Sequence, residues 1–364
     1  MLAFILGTRP EIIKMAPIIR ECEKQGIDYI LVHTGQHYSY EMDEIFFKEL
    51  ELSEANYMLG VGSGTDAEQI GKILIGVEDV LVKETPDIIL VEGDTNSVFA
   101  GAYAAAKLHV EIGHVESGLR SYDRRMPEEI NRVLTDHVSD FLFAPTADAQ
   151  RNLLREGISA SKIYVTGNTI VDAVYQNLEI ARKKVDILRE LNVEERSFFL
   201  ATSHRQENID NKARLSGIIE GLDLLHCEFD VPIIFPVHPR TYKRVSEFDL
   251  TSNEIVPIPP KSFLEFLLLE ANAKLIITDS GGVQEEACTL RVPCITLRNN
   301  TERPETLVVG SNVLVGAEPD RILAGARAML SKPRDWSNPF GEGNSGPHIM
   351  SILKSALEAC GAAI

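Results

Sequence analysis

The sequence predicts an α/β protein made of two doubly wound halves, and three observations carry that prediction. Short apolar runs alternate with amphipathic stretches along the whole chain, the pattern of βαβ units whose parallel sheets are covered on both faces. The chain has 364 residues, more than one hydrophobic core usually serves, so two domains follow. Nearly every reactive side chain comes just after an apolar run, at the strand end where open α/β sheets bind ligands.

In the first half the strand-like runs are Leu2–Leu6, Tyr29–His33, Asp87–Val91, Val110–His114, Phe141–Ala144 and Ile163–Thr166. In the second they are Phe198–Thr202, Ile233–Val237, Lys274–Thr278 and Val292–Leu297. No repeat or low-complexity segment interrupts them. The break falls near Gly167–Ala173, before a charged helix around Glu179–Arg189, which gives domains of residues 1–168 and 169–348. Two such halves would face each other across a cleft. A last helix, about Ile349–Ala362, follows the Pro- and Gly-rich stretch Pro333–Pro347, and its sequence fits packing on either half.

The formal net charge of −18 argues against a nucleic-acid-binding surface, which needs clustered Lys and Arg, but leaves room for a local basic pocket. The five cysteines are scattered with no Cys-x-x-Cys spacing, as expected of reduced thiols in a cytoplasmic protein. The opening MLAFIL is too short an apolar run for a signal peptide or a span, and no other run approaches membrane length. No Cys/His cluster or H-E-x-x-H motif points to a metal. Of the nine histidines, His109, His137 and His226 lie in helical stretches and are expected to be structural.

The polar residues that follow the strands define the candidate site. "GTRPEIIK" combines a tight turn with Pro10 at a helix start, where N–H groups, Arg9 and Lys14 would meet an anion; a capped surface helix fits equally well. "VEGDTNS" supplies Asp94, and "HVESGLR" supplies His114, Glu116 and Arg120. "PEEINRVLTDHVSDF" reads as a helix with Ile130, Val133, Leu134, Val138 and Phe141 on one apolar face. Glu128 and Arg132, four apart, fit a surface pair worth about 0.3–0.5 kcal/mol, yet Glu128 stands at the helix start where the other polar groups gather. In the second half come His204 and Arg205, His238 and Arg240, then "TDSGGVQEEA". Ser280, Gly281 and Gly282 would let a phosphate approach a helix start, with the Glu286 carboxylate placed for ribose hydroxyls. A serine N-cap alone does not require two glycines. "SHR" tempts a hydrolase reading, but no G-x-S-x-G elbow supports it. A dinucleotide fingerprint is also missing, which disfavours NAD-dependent chemistry.

Taken together, "GTRPEIIKMAP", "TGQHYSYEMD", "VEGDTNSVFAGAYAA", "GHVESGLRS", "MPEEINR", "VTGNTIVDA", "SHRQEN", "TDSGGVQEEA" and "RNNTERPET" closely resemble the non-hydrolysing UDP-N-acetylglucosamine 2-epimerases, in family order from Gly7 to about Thr306. The resemblance implies a GT-B-like fold of two Rossmann-like domains with an interdomain cleft, the last helix (about 349–364) crossing back to the first domain. It also implies a cytoplasmic homodimer that needs no cofactor and works on nucleotide sugars for polysaccharide biosynthesis. The activity implied is interconversion of UDP-GlcNAc and UDP-ManNAc by anti elimination of UDP to a 2-acetamidoglucal and re-addition with C2 inverted. Matched onto this chain, Asp94, Glu116, Glu128 and His204 take the catalytic positions: Asp94 and Glu128 exchange the C2 proton, Glu116 supports one of them, and His204 assists the leaving phosphate. Arg9, Lys14, Arg132 and His238 would surround the diphosphate or sugar. Ser280, Gly281, Gly282 and Glu286 would hold phosphate and ribose, Phe266 would stack on uracil, and Arg303 is a further substrate-binding candidate.

Two departures from the family stand out. Many bacterial members bind an activating second UDP-GlcNAc through a Gln- and His-rich stretch, which here keeps Gln36 and His37 but continues Tyr38, Ser39, Tyr40. The loop from Glu116 to Glu128 is also shorter than in many bacterial members. Rival readings are a GT-B glycosyltransferase with a UDP-sugar donor, an epimerase of UDP-2,3-diacetamido-2,3-dideoxyglucuronate, a hydrolysing relative that releases ManNAc, and a UDP-sugar-binding regulator.

Overall fold

The computed structural model describes residues 1–35, 46–252 and 254–359. The chain divides into two compact units, Met1–Ala173 with Phe340–Ile364, and Val174–Pro339. The first is built on seven strands: β1 (Leu2–Leu6), β2 (Tyr29–His33), β3 (Tyr57–Met58), β4 (Ile88–Glu92), β5 (Glu111–Val115), β6 (Phe141–Ala144) and β7 (Ile163–Val165), in the order β3-β2-β1-β4-β5-β6-β7. The second carries six: β8 (Phe199–Thr202), β9 (Ile233–Pro236), β10 (Ile255–Ile258), β11 (Leu275–Thr278), β12 (Cys294–Thr296) and β13 (Asn312–Leu314), in the order β10-β9-β8-β11-β12-β13. All pairings are parallel. Each sheet reverses its winding once, between β1 and β4 in one and between β8 and β11 in the other. Ligand sites of doubly wound sheets form at such reversals.

The central strands are apolar because helices cover both of their faces. Every residue of β1 and β4 is buried. On one side of the first sheet Ile5, Val32, Ile89 and Val91 pack with Val77, Val80 and Leu81 from the helix Asp66–Glu84. In the second unit Phe199, Ile233, Ile277 and Ile295 pack with Leu222 and Leu225 from Lys212–Phe229 and with Ile322 and Met329 from Pro319–Leu330.

Three strands go beyond the sequence reading: β3, β10 and β13. All lie at sheet edges, where one flank is unpaired and the burial that marks a central strand is incomplete. β10 even contains Pro257, which an edge tolerates.

The C-terminal helix Ser345–Ala359 packs against the helix Arg9–Gln25. A Cβ on Gly346 would lie 3.1 Å from Pro17, so the helices touch through their backbones. Asp172 fixes the start of this helix by accepting from Ser345 N at 3.1 Å and Gly346 N at 3.0 Å.

The helix Pro127–Val138 corrects the sequence reading in two respects. It ends before Phe141, which begins β6. Its buried face is polar, made of Glu129, Asn131, Thr135 and Asp136, while Ile130 and Leu134 are exposed at 42% and 43%.

Candidate active site

In the first unit the polar groups collect at the winding reversal. Gly7 must be glycine, since a Cβ there would stand 2.0 Å from Ser97 Oγ and 2.6 Å from Thr34 Oγ1. This close approach brings the turn before the helix Arg9–Gln25 against the start of the helix Asn96–Lys107, which follows β4. Glu11 is buried at that helix start and accepts from Gly7 N at 2.5 Å and Thr8 Oγ1 at 3.0 Å. Burial pushes its carboxyl up to about 7, against the hydrogen bonds it accepts.

One turn on, the Lys14 ammonium lies between two buried carboxylates, hydrogen-bonded to Glu116 and 3.3 Å from Glu92 Oε1. Glu92 ends β4, and Glu116 follows β5 with its backbone in the left-handed region at φ 65°, a strained geometry for a residue other than glycine. Asn168 Nδ2 also donates to Glu116, at 3.0 Å. Asp94, two residues past β4, is salt-bridged to Arg132, and its carbonyl accepts from Asn131 Nδ2 at 3.0 Å. Arg132 Nη1 donates in turn to Glu129 Oε2 at 2.8 Å, and Glu129 accepts from Ser121 N at 2.9 Å and Tyr122 N at 2.8 Å. The helix turns its polar face inward because that face carries the groups which fasten the loop and hold Arg132.

A second layer supports this one. His114 is fully buried on β5, with Nδ1 2.7 Å from Asp136 Oδ1 and Nε2 2.8 Å from the Gly93 carbonyl. Asp136 also accepts from Gly118 N at 3.2 Å and is ion-paired with Arg120 at 2.7 Å. Gly93 and Gly118 both have positive φ, and both turns are thereby pinned to one carboxylate.

The second unit repeats the scheme at its own reversal, around Asp279. That fully buried carboxylate accepts from Ser203 Oγ at 2.8 Å, from the backbone N–H groups of His204 and Arg205 at 3.1 Å, and from Asn208 Nδ2 at 2.9 Å. It locks the turn after β8 to the turn after β11. The His204 imidazole, 47% exposed, has Nδ1 3.2 Å from Asp279 Oδ1. Its pKa is held below the ordinary value, first by desolvation of the ring and then by Arg205 and His238, against the pull of Asp279. His238 caps the helix Pro239–Glu247, accepting from Arg240 N at 3.2 Å. Ser280 caps the helix Gly281–Thr289, whose first turn is the pair Gly281 and Gly282. Glu286 is buried opposite Glu270, whose carboxyl is raised well above the ordinary range by burial and by that facing charge. Arg303 pairs with Glu285 at 2.6 Å. Phe266 is half-buried on the helix Phe263–Asn272.

The family model described as UDP-N-acetylglucosamine 2-epimerase matches residues 20–354. The chain belongs to that family. It is 57% identical to the UDP-N-acetylglucosamine 2-epimerase of Methanocaldococcus jannaschii, across 97% of this chain and 98% of that protein. The crystal structure of the Methanocaldococcus jannaschii UDP-GlcNAc 2-epimerase in complex with UDP-GlcNAc and UDP superposes with a TM-score of 0.86 at 57% identity, covering 97% of this chain and 99% of that one. A Pseudomonas aeruginosa UDP-2,3-diacetamido-2,3-dideoxy-D-glucuronate 2-epimerase is 42% identical over 96% of this chain and 98% of its own length.

In this member of the 2-epimerase family, Asp94, Glu116, Lys14 and Arg132 come together in the first unit. His204, His238, Ser280, Gly281, Gly282 and Glu286 belong to the second. Glu128 is exposed in the first helical turn, and Arg132 pairs with Glu129 and Asp94, not with Glu128 as its spacing suggested. Arg9 is exposed, its guanidinium 4.7 Å from the centre of the Phe46 ring. Arg125 pairs with Asp123 on the surface. Gln36, His37, Tyr38, Ser39 and Tyr40 lie outside the described residues. Sequence reasoning missed Glu11, Glu92, Glu129, Asp136 and Asp279 as parts of the framework. For two of them a signal was available: Glu92 ends β4 and Asp279 directly follows β11, and an acidic residue at a strand end is costly to bury unless it is bonded. Among the described residues no group of three His, Cys, Asp or Glu side chains is placed to hold a metal ion, and no helix is long and apolar enough to cross a membrane.

Proposed function

We propose that the protein interconverts UDP-GlcNAc and UDP-ManNAc as a non-hydrolysing 2-epimerase, an isomerase. The observation that carries this reading is the placement of Asp94 and Glu116, each bonded to a cation, at adjacent strand tips of a chain from that family. The chemistry demands such groups. The C2 hydrogen of the sugar is not next to a carbonyl and becomes acidic only as the C1–O bond breaks and positive charge grows at C1. The site must therefore stabilise departing UDP and also keep a base beside C2.

In the route we propose, Asp94 and Glu128 exchange the C2 proton on opposite faces, with Glu116 in support. UDP leaves anti to that proton, 2-acetamidoglucal forms, and re-addition inverts C2. His204 assists the leaving phosphate. Arg9, Lys14, Arg132 and His238 attend the diphosphate and sugar, with Arg303 as a further contact. Ser280, Gly281, Gly282 and Glu286 bind phosphate and ribose, and Phe266 stacks on uracil. Backbone N–H groups at the start of Gly281–Thr289 favour an anion there. The route uses no cofactor.

We further propose a homodimer. The helices Asp66–Glu84 and Asn96–Lys107 pack together and present Ile75, Val82 and Tyr103 to solvent at 65%, 61% and 41% exposure. Sedimentation of the full chain checks this, and a monomer at assay concentration refutes it.

The deciding experiment is incubation with UDP-GlcNAc in D2O, followed by NMR. UDP-ManNAc carrying deuterium at C2 is the expected product. Unlabelled, unchanged substrate refutes the proposal, and parallel turnover of UDP-2,3-diacetamido-2,3-dideoxyglucuronate alone would move the activity to that sugar.

A further inference from the structure

Glu92, like Glu11, is a buried carboxylate at the first unit's winding reversal that the proposed reaction leaves without work. It is the last residue of β4, its side chain is 3% exposed, and it lies 3.3 Å from the same Lys14 ammonium that bonds Glu116. β4 and β5 run side by side with Glu92 opposite Val115, so the two carboxylates approach Lys14 from adjacent strands. The groups that face Glu92 are Lys14 and Glu11 from the helix Arg9–Gln25, Glu116 after β5, and Asp94 in the turn after β4. Four carboxylates thus crowd two cations, Lys14 and Arg132, and Arg132 is already divided between Asp94 and Glu129. They cannot all be ionised at once without leaving buried charge uncompensated.

Resting on the epimerase reading, we propose that Glu92 is a positioning residue that competes with Glu116 for the Lys14 ammonium, so that its protonation state sets how firmly Glu116 is held. With Glu92 neutral, Lys14 is committed to Glu116. With Glu92 ionised, Lys14 is drawn toward β4 and Glu116 loosens. Burial favours the neutral form and pushes the Glu92 carboxyl well above the ordinary range, against the pull of Lys14 and with reinforcement from Glu116, Glu11 and Asp94. The consequence is a loss of turnover on the alkaline side that originates in a residue which never meets the sugar.

Glu92→Gln copies the neutral side chain and cannot ionise. Whatever its absolute rate, its pH–rate profile for C2 exchange should run further to the alkaline side before falling, by about one pH unit, as for strongly interacting sites. A purely structural role would lower the rate evenly at all pH values; that result, or a profile that superimposes on the wild type, overturns the proposal. Should the variant not fold, the wild-type protein decides by NMR. The Lys14 ¹⁵Nζ signal should shift in step with the titration of the Glu92 carboxyl carbon, and a Lys14 signal indifferent to it overturns the inference. This second readout needs no turnover, so a failure of the epimerase reading in D2O is told apart from a failure here.

Discussion

Asp136→Asn isolates what the buried support behind Asp94 and Glu116 contributes. Asp136 and the Arg120 side chain are 0% and 1% exposed, and the carboxylate also meets buried His114 and Gly118 N. Asparagine keeps the shape but removes the charge, leaving Arg120 ion-paired with Glu156 and bonded to the Leu119 carbonyl, and turning an N–H₂ group toward one of the three former donors. Removing one partner of a buried ion pair costs about 3–5 kcal/mol, and the geometry here belongs to that class. Urea unfolding followed by circular dichroism should show the midpoint falling at unchanged slope. C2 exchange should fall as well, because the Gly93 and Gly118 turns lose their common anchor. The pH dependence gives a second check. Burial raises the Asp136 carboxyl, but His114 and Arg120 outweigh it and hold the group below the ordinary aspartate range. Its contribution is therefore present above the unfolded pKa and lost as pH falls through the lower native one, so only the wild type should show that loss in acid. A variant within about 1 kcal/mol of the wild type at neutral pH would refute the reasoning, since that is the scale of an ordinary neutral hydrogen bond.

Glu11 should give the opposite slope: with its carboxyl raised from 4.5 to about 7, its stabilisation is complete below 4.5 and lost as pH rises through 7. Glu11→Gln should flatten that decline, worth up to about 3 kcal/mol, in unfolding measured across the range, and an unchanged slope counts against the assignment. Gly7→Ala places a methyl 2.0 Å from Ser97 Oγ, so stability measured by thermal unfolding should fall by the upper end of the ~1–3 kcal/mol typical of overpacking; a neutral outcome would mean the turn yields freely. Glu128→Gln and Glu129→Gln should part company. Exposed Glu128 should change stability by less than about 0.5 kcal/mol yet lower C2 exchange by ~10²–10⁴-fold. Buried Glu129 should instead cost about 1.5–3 kcal/mol of stability, through the Ser121, Tyr122 and Arg132 bonds. Full exchange in Glu128→Gln would remove that residue from the mechanism.

The central strands were legible because burial on both faces makes a parallel strand continuously apolar, as in β1, β4 and β11. β3, β10 and β13 were not, because an edge strand is only half covered and loses the apolar run. The helix Pro127–Val138 shows where periodicity misleads. Ile130 and Leu134 keep helical spacing yet face outward, since the inward face was claimed by Glu129, Asn131 and Asp136 for bonds to the loop and the strand tips. Of the candidate site, the placement of Asp94, Glu116 and His204 just past strands was readable from the apolar runs before them. Asp136 and Asp279 were harder to see. Each serves several backbone and side-chain donors drawn from residues distant in sequence, such as Ser203 and Asn208 around Asp279, and such bonding becomes visible only when the turns are brought together.

The left-handed backbone at Glu116 sets two demands on one position against each other. Glycine would relax the main chain there and gain about 1 kcal/mol or more, but it would abolish the carboxylate that meets Lys14. In Glu116→Gly that relief is set against the lost Lys14 pair and the lost Asn168 bond, so a search that scores folding sees opposing contributions, while one that scores turnover should reject the change. On the proposed mechanism, the left-handed backbone at residue 116 is the local cost of keeping a carboxylate beside Lys14.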